Sequence, residues 1–231
     1  MMKPEVLAIV PARGGSKGIP RKNVRTFAGY PLIAYSIAAG LLANTVTRLI
    51  VTTDDEEIAE VARQYGAETP FMRPAELAGD HTPDLPVFQH ALAWLAEREN
   101  YHAEVIVQLR PTAPVRPVNI VDNSVRLLLA HPEADSVRGV TLAHENPFKM
   151  WLIEGENDPM KPLIPFPGID ESYNAPRQAL PFAYWHTPMI DVMRPATLLR
   201  LNSMSGKIIL PVIHDPSFAT DLDTLNDWVR A

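Results

Sequence analysis

Val6-Leu-Ala-Ile-Val-Pro11-Ala12-Arg13-Gly14-Gly15-Ser16-Lys17-Gly18-Ile-Pro-Arg21-Lys22-Asn23 stands near the start of the chain, and its reading decides the fold. Val6 to Val10 is a short apolar run that predicts a buried strand. The run leads straight into a glycine-rich turn. Glycine lets a backbone turn tightly and come close to a ligand. Backbone N–H groups in such a turn form an anion-sized concavity. Arg13, Lys17, Arg21 and Lys22 add positive charge around it. From Val6 to Thr53 the chain carries six Lys or Arg and no Asp or Glu, although its formal net charge is −6. That asymmetry points to a polyanionic ligand of the nucleoside triphosphate kind. The glycines match neither G-x-G-x-x-G nor G-x-x-x-x-G-K-[ST], so the plainer reading is a turn that carries solvated bases.

Working outward, Pro31 suits the first turn of a helix. Leu32, Ile33, Ile37 and Leu41 follow at helical spacing, with an end near Asn44. Arg48 to Thr53 reads as a second strand. Thr53 and Glu56 have the spacing of a capping box, Ile58, Val61, Ala62 and Tyr65 give one apolar face, and Gly66 is a stop signal. Thr82 is placed to cap a helix beginning at Pro83, with Val87, Phe88, Ala91, Leu92 and Leu95 inward. Ala103 to Leu109 is a third strand. Pro117 to Ala130 is an amphipathic helix that buries Ile120, Val121, Val125 and Leu128. Ser136 to Thr141 and Lys207 to Val212 complete the strands, before a terminal helix anchored by Leu225 and Trp228. Strand alternating with helix predicts an α/β fold with a mostly parallel central sheet flanked by helices. Such sheets bind ligands at their carboxyl edge. Asp54, Asp55, Arg110 and Arg116 arrive there, although two carboxylates at a helix start also simply suit its dipole.

The 231 residues, 46% of them hydrophobic, suffice for one domain spanning residues 1–231. Many of the 23 prolines cluster between Pro147 and Pro195, where periodicity is poor. An inserted excursion over about residues 142–194 is expected there. The absence of cysteine excludes disulfides, thiolate metal sites and a Cys nucleophile. No apolar run approaches the ~18 residues of a membrane span, and no leader-like apolar region opens the chain. A cytoplasmic protein is the expectation. Mild acidity argues against nucleic acid as the main partner.

Near the C-terminus, Asp221-Leu-Asp223 places two carboxylates on one side of an extended chain. That arrangement suits a hard cation such as Mg²⁺ bridged to phosphates; helix capping is the other reading.

Val10-Pro-Ala-Arg-Gly-Gly-Ser-Lys-Gly-Ile-Pro-Arg-Lys-Asn-Val24 resembles the opening signature of the acylneuraminate cytidylyltransferase family, which makes CMP-activated nonulosonic acids. The resemblance implies a Rossmann-like nucleotide-diphospho-sugar transferase fold with a small dimerisation excursion. It implies a Mg²⁺-dependent reaction of CTP with a sugar acid, releasing pyrophosphate, in a homodimer. It assigns Pro11, Ala12, Arg13, Gly14, Gly15, Ser16, Lys22 and Asn23 to the nucleotide, with Arg13 and Lys22 on phosphates and Asn23 near the ribose. The stretch Arg73 to Asp80 is also similar, with Arg73 near the nucleotide, as is Pro111-Thr112-Ala-Pro. Asp221 and Asp223 match the metal pair, with Asp223 expected to be essential for catalysis. Lys149, and Arg177 in Arg177-Gln-Ala-Leu-Pro181, match groups that approach the acidic substrate. Phe148, Trp151, Phe166 and Phe182 fit a dimer interface.

Two departures matter. Arg110 stands where some members have Gln beside metal and substrate, and is expected to serve a phosphate or sugar-acid carboxylate. Relatives that activate sialic acid usually read Asn-Gly-x-Ile-Tyr where this chain has Thr187-Pro188-Met-Ile-Asp191. A buried Asp191 needs a partner: a sugar hydroxyl, a sugar amine or Arg194. These changes leave the sugar open. A sugar 1-phosphate nucleotidyltransferase using GTP or CTP is the alternative enzyme, and a non-catalytic nucleotide-binding relative is the third reading. No single general base stands out.

Overall fold

A computed structural model describes residues 3–231; the expected domain's Met1 and Met2 lie outside the described residues. The central sheet is built from β1 (Val6–Pro11), β2 (Arg48–Thr52), β3 (Val105–Gln108), β4 (Ser136–Leu142), β5 (Tyr184–Met193) and β6 (Ile209–Ile213). Their spatial order is β6-β4-β5-β3-β1-β2. β1 pairs in parallel with both β2 and β3, and β6 in parallel with β4. β5 runs antiparallel between β3 and β4. The sheet is therefore mostly parallel, as expected, with one reversed strand in its interior.

Helices α1 (Leu32–Leu41), α2 (Glu56–Gln64), α3 (Asp84–Glu99) and α4 (Ile120–Ala130) cover its faces. Short helices α5 (Pro195–Leu199) and α6 (Leu225–Arg230) follow the last two strands. Alternation along β1 divides the core. Val6, Ala8 and Val10 pack with Ile33, Ile37, Ile58 and Val125 on one side. Leu7 and Ile9 pack with Val87, Phe88, Leu95 and Leu198 on the other. A strand covered on both faces needs apolar side chains at both parities, which explains the unbroken run Val6–Val10.

Several local expectations shift. Leu41 is exposed, and Ala34, Ser36 and Gly40 are among the residues that α1 buries. The cap of α2 is Asp55, whose side chain accepts from Ile58 N, while the Thr53 hydroxyl accepts from Asp55 N. The helix thus starts two residues later than the Thr53 capping box implied. Pro83 rather than Thr82 stands at the start of α3, without a side-chain cap. Gly66 does end the α2 segment, with φ +90°.

Within residues 142–194, Tyr184–Met193 form β5, whose Met189 to Met193 are buried within the main sheet. The rest holds short turns and one two-stranded pair, Trp151–Leu152 with Lys161–Pro162.

Candidate active site

The carboxyl ends of β1, β2 and β3 deliver three loops to one edge. Between them lies a cavity of about 500 Å³. Its walls come from the Pro11–Asn23 loop, the turn before α3, Arg110-Pro111-Thr112 and Asp223.

The glycine-rich loop is held by its neighbours. Ala12 N donates to Thr52 O at 3.0 Å, and Gly14 N to Asp54 Oδ1 at 2.9 Å. Asn23 is buried and donates from Nδ2 to Arg13 O at 2.9 Å, so it braces the loop while lining the cavity. A Cβ on Gly14 would meet Asp55 at 2.9 Å, and one on Gly18 would meet Asp223 O at 2.1 Å. These glycines permit close backbone packing, whereas Gly15 has open space around it.

Each cavity-facing base of the loop has a carboxylate partner. Arg13 donates to Gly79 O at 2.9 Å and pairs with Asp80 at 3.1 Å. Lys17 also pairs with Asp80. Lys22 Nζ donates to Leu222 O and to Asp223 Oδ1, both at 2.9 Å. Arg21 turns away to Asp55 and Glu57. Arg73 reaches the cavity wall but is buried, with its Nε on Thr52 Oγ1 at 3.2 Å.

Arg110 is clamped between Asp191 at 2.8 Å and Asp84 at 3.0 Å. Arg116, expected at the same edge, is instead structural: it donates to Met189 O, Ser36 Oγ and Arg110 O. Asp191 is 1% exposed, and its partners are Arg110, Arg138 and His186. Arg194 is not among them; it donates to Ala134 O, Leu128 O and His131 O near the end of α4. Burial alone would raise the Asp191 carboxyl, but His186 and the two arginines hold it at about 2.

A second cavity of about 350 Å³ adjoins the first and shares Arg110, Thr112 and Asp223 with it. His186, Pro188 and Asp221 complete its wall. Asp221 is half-buried, and burial together with the neighbouring Asp223 pushes its carboxyl up. Among the described residues no group of three or more His, Cys, Asp or Glu is placed to hold a metal.

Eleven of the expected site residues therefore line the main cavity, from Pro11, Arg13 and Ser16 through Arg73 and Asp80 to Asp223. Ala12, Gly14 and Gly15 support the loop without lining it. Asp221 lies in the adjoining cavity, and Asp191 lies beneath Arg110. Lys149 and Arg177 line neither; Arg177 borders a small separate pocket with Asn146 and Phe182. The sequence carries no signal that marks Asp84 or His186 as site residues. Asp84 reads only as an acidic helix start, and His186 only as part of the departing Thr187-Pro188 stretch.

The profile described as "Cytidylyltransferase" matches residues 7–150. The CMP-N,N'-diacetyllegionaminic acid synthase of Campylobacter jejuni is 31% identical over 97% of this chain and 92% of its own length. The pseudaminic acid cytidylyltransferase of the same species is 44% identical over 50% of this chain and 49% of its length. The Escherichia coli N-acylneuraminate cytidylyltransferase is 34% identical over 100% of this chain, which spans about half (52%) of that protein. Among solved structures, a CMP:2-keto-3-deoxy-manno-octonic acid synthetase complexed with CTP superposes with TM-score 0.71 over 98% of this chain and 96% of its own, at 15% identity. With the profile spanning most of the sheet and a relative aligned over nearly its whole length, this chain belongs to the cytidylyltransferase family.

Proposed function

We propose that this protein transfers CMP from CTP to a nonulosonic, sialic-acid-like sugar acid and releases pyrophosphate. The observation that carries the reading is the pair of joined cavities. One has a basic loop along its wall, and the other opens from it at Asp223. The relatives' names supply the chemistry: legionaminic, pseudaminic and acylneuraminic acids are all sugar acids activated by CMP.

In this reading the triphosphate lies along the Pro11–Asn23 loop, where Arg13, Lys17 and Lys22 exchange their carboxylate partners for phosphate oxygens. Nucleotidyl transfer needs the attacking oxygen in line with the leaving pyrophosphate and cations on the developing charge. Arg13 and Lys22 supply fixed charge, and Arg110 stands at the passage between the cavities. Asn23 keeps the loop closed through Arg13 O.

The donor set fits Mg²⁺. Asp221 and Asp223 would be its oxygen ligands, and the half-buried Asp221 carboxyl, raised by burial and by the exposed Asp223 beside it, is one that a cation would relieve. Bound there, Mg²⁺ would neutralise phosphate charge. We further infer a cytoplasmic homodimer. No helix among the described residues is long and apolar enough to cross a membrane.

The test is pyrophosphate release with Mg²⁺, scanning CTP, GTP, UTP and ATP against nonulosonic acids and sugar 1-phosphates. CTP with a sugar acid is the expected pair. GTP with a sugar 1-phosphate would overturn the substrate assignment. Tight nucleotide binding without turnover would overturn catalysis.

A further inference from the structure

β4 and β5 pair in register at Arg138 and Asp191, and again at Val140 and His186. Only Gly139 separates the two positions on β4, while Thr187 to Ile190 separate them on β5. The extra residues form a bulge. Pro188, which has no N–H for a ladder bond, is placed where a central strand tolerates it. The bulge folds His186 back onto Asp191, so that Nε2 lies 3.2 Å from Asp191 Oδ1. Bulges of this kind re-aim a side chain.

We propose that His186, held by Asp191, is the general base that takes the proton from the acceptor's attacking hydroxyl; this rests on the CMP-transfer reading above. Asp191 is ionised between Arg110 and Arg138, so it accepts, and the His186 Nε2–H donates to it. That leaves Nδ1 of the neutral ring as the hydrogen-bond acceptor. No hydrogen bond occupies Nδ1 among the described residues, and the ring lines the second cavity, facing the segment that carries Asp221 and Asp223. No hydrogen bond joins His186 to either of those carboxylates among the described residues.

The step balances. Nδ1 takes the hydroxyl proton as the new bond forms between the hydroxyl oxygen and the α-phosphorus of CTP. The bond from that phosphorus to the bridging oxygen breaks, and its electron pair leaves with pyrophosphate. The imidazolium then returns its proton to water. The charged groups facing His186 are Asp191 on its own strand, Arg138 on β4, Arg110 after β3, and Asp221 and Asp223 after β6.

The experiment uses the full chain with CTP, Mg²⁺ and the sugar acid that the wild type turns over best. A positioned base contributes about 100-fold or more. His186→Gln should lower kcat by about that factor and flatten the acid limb of its pH profile. CTP affinity and the thermal transition should not move. Added imidazole should restore part of the activity of His186→Ala, since the His186 side chain is 36% exposed and its site is open. A kcat within threefold of wild type, or a raised acceptor KM at unchanged kcat, would overturn the proposal. A wild type that releases no pyrophosphate from CTP with any sugar acid would overturn the CMP-transfer reading first, and the base with it.

Discussion

Lys22 Nζ lies 2.9 Å from Asp223 Oδ1, although 201 residues separate the two in sequence. The same ammonium holds Leu222 O, and Leu222 N donates to Thr112 O at 2.9 Å. Leu222 is fully buried beside Phe27 and Leu32. The N-terminal loop, the segment after β3 and the C-terminal carboxylates are therefore one assembly. In the proposed reaction a phosphate at Lys22 and a cation at Asp223 would both act on this one contact.

Asp223→Ala should abolish turnover and barely touch the fold. Its side chain is 67% exposed, so the ion pair it loses is a surface one. The thermal transition should stay within about 2–4 °C of wild type, the shift expected of about 1 kcal/mol in a chain of this size. Calorimetry and pyrophosphate release on one preparation separate the two effects. Retained turnover would remove Asp223 from the metal assignment.

Gly18→Ala and Gly15→Ala should part company. The new Cβ at Gly18 meets Asp223 O at 2.1 Å, so the loop or the carboxylate segment must move. Overpacking of this kind costs about 1–3 kcal/mol, and both stability and turnover should fall. At Gly15 nothing lies within 4 Å and φ is not positive, so stability should hold. If nucleotide phosphates pack against that backbone, CTP affinity alone should drop, which titration calorimetry would read.

Asp122 predicts an acid-sensitive clamp away from the site. Burial alone would raise its carboxyl, but hydrogen bonds from Thr45 and Asn44 outweigh that and lower it to about 2. The folded value lies below the unfolded one, so its stabilisation is fully present above about pH 4 and is lost as pH falls toward 2. The magnitude is about 2 kcal/mol. Asp122→Ala should lose that much in urea unfolding at pH 7, and the gap from wild type should narrow progressively below pH 4. A gap independent of pH would show that packing, rather than the ionised carboxylate, stabilises the corner.

The parts of this fold legible in sequence are those where one strong local rule acts. The run Val6–Val10 had to be buried on both faces, and α3 and α4 each bury the apolar residues their spacing marked out. Arg13, Lys17 and Lys22 line the cavity because their loop leaves the carboxyl end of β1, where the sequence rule for parallel sheets places a ligand. Where two local rules compete, the outcome turns on tertiary contacts. Thr53 and Asp55 both offer a cap to α2, and Asp55 is also positioned by Arg21. Asp191 lies three residues from Arg194 in sequence, yet strand register places Arg138 opposite it and the loop after β3 brings Arg110. His186 carries no sequence signal of its own, because its place beside Asp191 comes from a bulge that only pairing reveals. Lys149 and Arg177 were implied by resemblance alone, and within the single chain they lie apart from both cavities.

The excursion that carries those two residues predicts an oligomer. Phe182 is 81% exposed, and Leu152, Ile153 and Tyr184 are about half exposed on the same segment. Phe148 meets Phe166 edge to face and Trp151 lies tilted against Tyr173, so the segment has aromatic contacts of its own and still presents apolar surface. Large exposed apolar patches mark interfaces, and a second copy of the chain is the occupant the homodimer reading names. Sedimentation equilibrium should give a dimer for the wild type and a shift toward monomer for Phe182→Glu, with the monomer keeping its thermal transition because Phe182 contributes little to the core. A wild type that sediments as a monomer at micromolar concentration would remove the homodimer from the proposal and leave the excursion's apolar face without an assigned partner.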